Sequence, residues 1–158
     1  MGAFRIVNFN PALSWRFTVE IEGITEALFA ECEGLKLERD VEEVKEGGNN
    51  LFIYKLPGRI KQENIRLRRG VTYSHKLWEW FIKGTYMGTV ERKNISIIVG
   101  DSTQKVVQRW DVLDAWPTRY EGPELKVDSI QAALEMIELA HHGIMLQKED
   151  TKKPMGGS

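Results

Sequence analysis

The sequence predicts a mainly β fold with one α-helix, and three observations support this prediction. Apolar and polar residues alternate from Trp15 to Glu22, two more alternating segments flank a turn at residues 100–103, and one segment near residue 80 has helical spacing. Alternation with period two is typical of half-buried strands, whereas apolar spacing of three and four is typical of a helix. A chain of 158 residues with net charge −1 and 42% hydrophobic residues is expected to fold as one globular domain.

The first strand is predicted over Trp15–Glu22 and ends before Gly23. Residues 27–38 are expected to continue as strand, with a bulge or bend at Gly34, because glycine inside a strand weakens its pairing. The acidic residues of segment 40–46 disfavour a central strand, so either an edge strand or the approach to the segment that follows is predicted there.

A flexible apolar segment, which we call the contact loop, covers residues 47–58 together with Glu46. It opens on glycines and asparagines, which tolerate positive φ, and its final Pro57-Gly58 pair predicts a turn. Apolar side chains in such a segment either fold back on their own domain or dock on a neighbour, and we predict docking on a second copy. The predicted contact residues are Glu46, Gly47, Gly48, Asn49, Asn50, Leu51, Phe52, Tyr54, Pro57 and Gly58, with Ile53 and Leu56 completing the apolar patch.

One strand and one helix are predicted after the contact loop. Alternation predicts a strand over Ile65–Arg69, which ends at Gly70. A helix is predicted from an N-cap at Ser74 to Lys83, with Gly84 as its stop. Its apolar face is expected to cover the sheet and consists of Leu77, Trp78, Phe81 and Ile82.

A hairpin is predicted in the second half of the chain. Its strands cover residues 92–99 and 106–113, and they are joined by a turn at residues 100–103. Ala115-Trp116-Pro117 and Gly122-Pro123 are predicted to interrupt the regular structure that follows.

The last structured segment, residues 132–142, is ambiguous. Propensity and spacing favour a helix with Ser129 as its cap, because both faces of a strand here would be largely apolar. Residues from Lys148 onward are expected to be mobile.

The charges are divided along the chain. Residues 20–46 contain ten acidic and three basic side chains, whereas residues 55–93 contain ten basic and three acidic ones. Such a division could steer identical copies head-to-tail, or strands within one copy could neutralise each other. Assembly that is insensitive to salt would indicate the internal arrangement.

A basic surface is predicted after the contact loop. It consists of Arg59, Lys61, Arg66, Arg68 and Arg69. These side chains could contact phosphates, but dedicated nucleic-acid binders carry a strong positive excess and this chain is slightly acidic. A solvated or subunit-facing charged surface is therefore the preferred interpretation.

The sequence contains no recognisable catalytic, nucleotide or metal motif. It lacks a nucleophile elbow, a phosphate-binding loop and a dinucleotide fingerprint. Glu138, His141 and His142 form one metal-like group, but a helical carboxylate site needs a second such pair, so ordinary polar packing is preferred. Cys32 is the single cysteine of the sequence, so no disulfide is possible within the chain and a reducing folding environment is predicted. Its side chain is expected to act as a small buried hydrophobic group rather than as a nucleophile. No catalytic residue, cofactor or metal is expected.

Targeting and membrane segments are not expected either. No run approaches the roughly 18 apolar residues of a membrane span. The first residues lack the basic start and apolar core of a signal peptide.

A series of short motifs resembles the tail tube proteins of contractile phages. In order they are Glu33-Gly34-Leu35, Glu46-Gly47-Gly48-Asn49, Leu56-Pro57-Gly58, Leu67-Arg68-Arg69-Gly70, Trp78, Trp110, Ala115-Trp116-Pro117, Gly122-Pro123 and Glu135-x-x-Glu138-Leu139-x-His141-x-Gly143. Their order and spacing are also similar to the inner-tube proteins of contractile injection systems, including type VI secretion tubes. The resemblance covers residues 13–146, leaving residues 1–12 as an N-terminal segment and residues 147–158 as a mobile C-terminal tail.

The resemblance implies a small β-barrel or sandwich with one α-helix, assembled as hexameric rings with a shared β-barrel lumen. It implies that residues 47–58 form an extended loop against the adjacent ring, and that residues 132–142 form a strand rather than a helix. The implied partners are other copies of this chain, sheath and baseplate proteins, and DNA or effector proteins in the lumen. Neither catalysis nor membrane insertion is implied. The particle would be a phage tail or phage-tail-like device assembled in a bacterial or archaeal cytoplasm.

Two alternatives stay open at this point. The chain could be a tube-initiating or baseplate subunit of the same particle, in which case the contact loop meets non-identical partners. It could instead be a small monomeric β-barrel enzyme or ligand-binding module, whose stability would rise with a specific ligand.

Deletion of residues 49–54 is expected to leave a folded tube subunit that no longer stacks. Which strands face the lumen does not follow from the sequence.

Overall fold

The computed structural model describes residues 16–24, 29–48, 51–103, 105–128 and 133–148. These ranges contain nine strands and one helix: β1 (Arg16–Ile21), β2 (Glu31–Glu33), β3 (Leu37–Val44), β4 (Tyr54–Gln62), β5 (Ile65–Gly70), α1 (Lys76–Met87), β6 (Lys93–Gly100), β7 (Val106–Glu121), β8 (Leu134–Ala140) and β9 (Gly143–Gln147). The predicted mainly β class with one helix is confirmed. Within these ranges no helix is both long enough and apolar enough to cross a membrane. Predictions for Trp15, Ser129, residues 1–12 and residues 149–158 lie outside the described residues.

Seven of these strands form one antiparallel sheet, and the other two form a separate hairpin. The order in the sheet is β1-β6-β7-β8-β5-β2, and β9 also pairs with β7. Strands β3 and β4 share no ladder with this sheet among the described residues. The hairpin is therefore structurally separate from the body of the domain.

The long strand β7 divides the main sheet into two half-sheets. Its early residues pair with β6 and, over 109–113, with β9, whereas residues 116–121 pair with β8. Asp114, between these two parts, has φ 51°, which marks a local change of direction. We call β1, β6, the early part of β7 and β9 the first half-sheet. The late part of β7 together with β8, β5 and β2 is the second half-sheet.

The hydrophobic core lies between the two half-sheets. The first half-sheet contributes Val19, Ile21, Ile95, Ile97 and Val112, and the second contributes Ile65, Leu67, Ile137 and Leu139. Helix α1 adds Leu77 and Trp80. Because burying one large aliphatic side chain is worth about 1.5–3 kcal/mol, this cluster is the main source of stability for the body of the domain.

The helix begins and ends later than predicted. Its N-cap is His75, whose side chain makes no capping hydrogen bond, and its C-cap is Gly88 with φ 69°. Ser74 precedes this cap and is not the cap itself, and its carbonyl oxygen accepts a hydrogen bond from Arg69 at 3.1 Å. Gly84 does not stop the helix. A Cβ at Gly84 would stand 3.0 Å from the Val90 side chain, so glycine serves close packing there.

The buried face of the helix also differs from the predicted one. Leu77 is buried as predicted, but Trp78 is 46% exposed and Trp80 takes the inner position. The ring nitrogen of Trp80 donates to the Glu91 carbonyl oxygen at 2.8 Å, which satisfies its only polar group. Phe81 and Ile82 are half-buried.

The prediction of one continuous strand over residues 27–38 is wrong in its described part, whereas the predicted bend at Gly34 is confirmed. Gly34 has φ 97°, and a Cβ there would stand 2.1 Å from the Asn64 carbonyl oxygen. Both the turn and the close approach therefore require glycine. The break sends β2 into the second half-sheet and β3 into the hairpin.

The predicted interruption at Ala115-Trp116-Pro117 is also wrong, because these residues lie inside β7. Pro117 stands beside a register shift in the pairing of β7 with β8, and such irregular places tolerate proline. Gly122-Pro123 does follow the end of the strand, as predicted.

Residues 134–140 form strand β8, as the family resemblance implied and against the local preference for helix. Ile137 and Leu139 point into the core with 0% exposure, and Met136 on the opposite face is only 7% exposed. Because β8 lies between β5 and β7, contacts across the sheet outweigh intrinsic helix propensity.

Candidate functional site

The contact loop is the tip and returning strand of a β-hairpin, which we call the arm and which covers residues 37–62. Strand β3 pairs antiparallel with β4, with a register shift between Arg39 and Val41. The turn predicted at Pro57-Gly58 is wrong, since both residues lie within β4. A Cβ at Gly58 would stand 2.9 Å from the Asp40 carbonyl oxygen, so Gly58 makes room for the irregularity in β3.

One face of the arm is apolar and exposed near the tip. In β4, Tyr54 and Leu56 share this face, and in β3 Val44 pairs with Tyr54, so its side chain joins them. Because β4 has one extra residue at the register shift, Ile60 lies on the other face, where it pairs with Arg39. These four apolar residues are between 42% and 52% exposed. The arm therefore exposes to water apolar side chains of the kind that usually pack against another surface.

The tip of the arm continues this apolar surface. Leu51, Phe52 and Ile53 are 91%, 55% and 45% exposed. The Phe52 and Tyr54 rings stand edge-on with centroids 4.9 Å apart, which is a contact within the arm rather than with the core. Gly48 has φ 97°, in keeping with the predicted positive φ. Asn49 and Asn50 lie outside the described residues.

An isolated two-stranded hairpin is marginally stable in water, and a contiguous exposed apolar face marks a contact site. The arm can therefore gain stability and bury its face at the same time by docking on another molecule. The sequence contains a signal for this face, because Tyr54 and Leu56 alternate with Lys55. The predicted turn at Pro57-Gly58 left the continuation of this strand to Gln62 unrecognised.

The predicted basic surface is divided among three places. Arg59 and Lys61 belong to the arm, whereas Arg66 and Arg68 lie on the outer face of β5. Arg69 is 1% exposed and is not on a surface. Its position follows from alternation, because Arg69 shares the core face of β5 with Ile65 and Leu67.

Most of the strongly basic segment is neutralised within the chain. Arg68 contacts Glu31 at 2.8 Å, Arg66 approaches Glu33 at 3.9 Å, and Lys61 contacts Asp40 at 2.9 Å. These pairs join the acidic and basic segments across neighbouring strands. They favour the internal arrangement of charge over head-to-tail steering.

Arg69 belongs to a buried polar cluster that the sequence did not reveal. Its Nε donates to Glu135, and the Tyr120 hydroxyl donates to the other oxygen of that carboxylate at 2.6 Å. Burial, and then the hydrogen bond to Glu135, raises the pKa of Tyr120 to about 12, so the hydroxyl stays protonated and continues to donate. The Tyr120 ring also stands edge-on to Trp78 at 5.1 Å. The cluster thus links β5, β7 and β8 to the helix.

The metal-like residues each have a different partner. The ring Nε2 of His141 contacts the Glu63 carbonyl oxygen at 2.8 Å, and His142 Nδ1 contacts Asp114 at 3.3 Å. The Glu138 carboxylate accepts from Asn64 at 3.1 Å. Within the described ranges no group of three or more His, Cys, Asp or Glu residues is arranged to hold a metal ion.

Cys32 packs partly against the core. Burial, assisted by the charge of Glu33, raises the pKa of its thiol to about 11. The thiolate form that nucleophilic chemistry requires is therefore disfavoured.

Comparison with known proteins identifies relatives of the whole domain. A family model described as the T4-like virus tail tube protein gp19 matches residues 13–145. No curated protein gives a significant match to the sequence.

Several solved structures contain similar chains, and three of them follow. One, in the anti-feeding prophage baseplate, has TM-score 0.77 and 24% identity, with 87% of this chain and 96% of that chain covered. Another, in the extended sheath–tube complex of the extracellular contractile injection system PVC, has TM-score 0.74 and 29% identity, covering 84% and 88%. A third, in the sheath/tube terminator of PVC, has TM-score 0.75 and 29% identity, covering 84% and 94%. At 24% identity, the first comparison shows the fold alone.

Proposed function

We propose that this chain, which belongs to the tail tube protein family of T4-like viruses, is a structural subunit of the inner tube of a contractile phage tail or phage-tail-like injection system. The family match over residues 13–145 carries this proposal. The subunit forms hexameric rings that stack into a hollow tube, and a sheath and a baseplate complete the particle. DNA or effector proteins pass through the lumen.

The arm supplies the contact between rings. Its exposed apolar face is unsuited to a free monomer but suited to a repeated contact with an identical neighbour. The arm of one subunit docks on a subunit of the adjacent ring, where Phe52, Tyr54, Leu56 and Ile60 become covered. Contact with non-identical partners at a tube end is the second candidate, favoured by the similar chain in the PVC terminator.

No catalytic role is proposed. The raised pKa of Cys32 and the separate partners of Glu138, His141 and His142 favour structural roles for these side chains. The useful property of the chain is the channel that its copies enclose.

Electron microscopy of the purified chain tests this function. We expect long hollow cylinders built of stacked rings at high protein concentration. Short stacks or single rings would favour the tube-end role. A sample that stays monomeric at every concentration, and that melts at a higher temperature with a small ligand, would contradict the proposal and favour a binding module.

A further inference from the structure

We propose that each arm is held in a cleft between two neighbouring copies of the adjacent ring, with one copy against each face of the hairpin. This inference rests on the proposed function and deepens it, because it assigns the number of copies that one arm contacts. The apolar side chains of the arm carry it, since they change from one face to the other along the hairpin.

The outer half of the arm is apolar on one face. Val44 pairs with Tyr54, and Leu56 lies two residues further along β4, so the three side chains share this face. They are 42%, 43% and 47% exposed. On the opposite face of this half, Glu43 pairs with Lys55. We call Val44, Tyr54 and Leu56 the tip patch.

The inner half of the arm, next to the body of the domain, is apolar on the other face. In β3, Leu37 and Val41 lie an even number of positions from Glu43 and therefore share its face. Ile60 joins them, because the extra residue of β4 at the register shift pairs Ile60 with Arg39. We call Leu37, Val41 and Ile60 the base patch.

Charged side chains lie behind both patches. Behind the base patch, Glu38 pairs with Lys61, which also contacts Asp40 at 2.9 Å. Behind the tip patch lies the pair of Glu43 and Lys55. Each face of the arm is thus apolar in one half and charged in the other. A hairpin that packed on a single surface would instead be apolar on the same face along its whole length.

One surface cannot cover both patches. The side chains of the two faces point in opposite directions, so a molecule against the tip patch leaves the base patch in water. The body of the same chain does not cover the base patch either, because Leu37, Val41 and Ile60 are 54%, 59% and 52% exposed. Exposed apolar side chains on two faces therefore indicate two contact surfaces.

Neighbouring copies in a ring supply two such surfaces. Rotational symmetry repeats the same surface at equal intervals, with a cleft between each copy and the next. An arm that enters this cleft meets one copy on each side, and both patches become covered together. A single copy offers only one wall of the cleft, so the binding site for an arm is incomplete in a monomer. Stacking therefore follows ring closure.

Photo-cross-linking within tubes counts the copies that one arm contacts. A trace of labelled chain is assembled with an excess of unlabelled chain. The labelled chain carries Tyr54→benzoylphenylalanine, Val41→benzoylphenylalanine or both. On illumination we expect a two-chain product from each single label and a three-chain product from the double label, because the two faces lie against different copies. A double label that gives no product larger than two chains would overturn the cleft.

Serine substitutions test each patch without a bulky label. Val41→Ser with Ile60→Ser changes the base patch, and Val44→Ser with Tyr54→Ser changes the tip patch. Each double variant is expected to keep rings and to raise the protein concentration required for tubes at least about 30-fold. A base-patch variant that forms tubes like the parent would overturn the proposal, because its apolar side chains would then have no partner among the copies.

The charged pairs behind the patches provide matched controls. Glu38→Ser with Lys61→Ser lies behind the base patch, and Glu43→Ser with Lys55→Ser lies behind the tip patch. Both controls are expected to leave the concentration required for tubes within about threefold of the parent. Failure of the unlabelled parent chain to form stacked rings would contradict the proposed function itself, and with it the cleft.

Discussion

A variant in which Asn-Gly replaces residues 45–53 is expected to fold and to form rings but not to stack into tubes. The replacement joins Val44 to Tyr54, which already face each other, through a two-residue turn that suits an antiparallel hairpin. The body of the domain keeps its core, because the arm shares no ladder with the main sheet among the described strands. Microscopy and sedimentation are expected to show rings and no cylinders.

Substitutions of apolar and of charged residues in β4 test whether the apolar side chains of the arm form the contact. Leu56→Ser with Ile60→Ser removes two half-exposed apolar side chains, each worth about 1 kcal/mol in a contact between copies. The concentration required for tube formation is expected to rise at least about 30-fold, since 1.4 kcal/mol corresponds to tenfold in affinity. The matched control, Lys55→Ser with Arg59→Ser, changes charged side chains of the same strand and is expected to leave that concentration within about threefold. Equal effects of the two double variants would contradict a role for the apolar side chains.

Removing the buried carboxylate of Glu135 is expected to cause the largest loss of subunit stability. Glu135→Leu leaves the Arg69 guanidinium buried without its charge partner and deprives the Tyr120 hydroxyl of its acceptor. Breaking a buried pair in this way typically costs about 3–5 kcal/mol. Urea unfolding measures the loss, in the arm-replaced background so that stacking does not contribute to apparent stability.

The double variant Arg69→Met with Glu135→Leu distinguishes charge pairing from simple loss of packing. Because apolar residues of similar size replace both members, it is expected to be more stable than Glu135→Leu alone by at least about 2 kcal/mol. Arg119→Met, at an arginine 62% exposed in its side chain, is the matched control and is expected to leave the unfolding midpoint unchanged. A Glu135→Leu variant as stable as the parent would show that the buried pair contributes nothing.

Alternation of apolar and polar residues in the sequence was sufficient to predict strands in the body of the domain. The segments around Val19, Leu67, Ile97 and Val112 have one buried face and one more exposed face. Period-two alternation therefore identifies them as strands without any knowledge of their neighbours. The same rule applied to β5 would have placed Arg69 in the core. Its buried partner Glu135 could not be predicted, because the pairing of β5 with β8 joins residues that are far apart in the sequence.

The segments that sequence reasoning assigned wrongly are those where tertiary contacts decide. Gly84 and Pro57 are of residue types that often end helices and strands. Gly84 nevertheless lies inside α1, where it packs closely on Val90, and Pro57 lies inside β4, beside the irregular pairing of the arm. Strand β8 has helical propensity and becomes a strand because it lies between β5 and β7.

Hydrogen exchange of the arm in assembled and in dilute protein tests most directly whether neighbouring copies cover it. A hairpin that stands alone opens readily, whereas one held between rings opens only when the contact is lost. Backbone amides of residues 51–60 are expected to exchange at least about tenfold more slowly in tubes than in monomers, while those of 65–70 in the core change little. Equal exchange of the arm in the two samples would contradict its burial between copies.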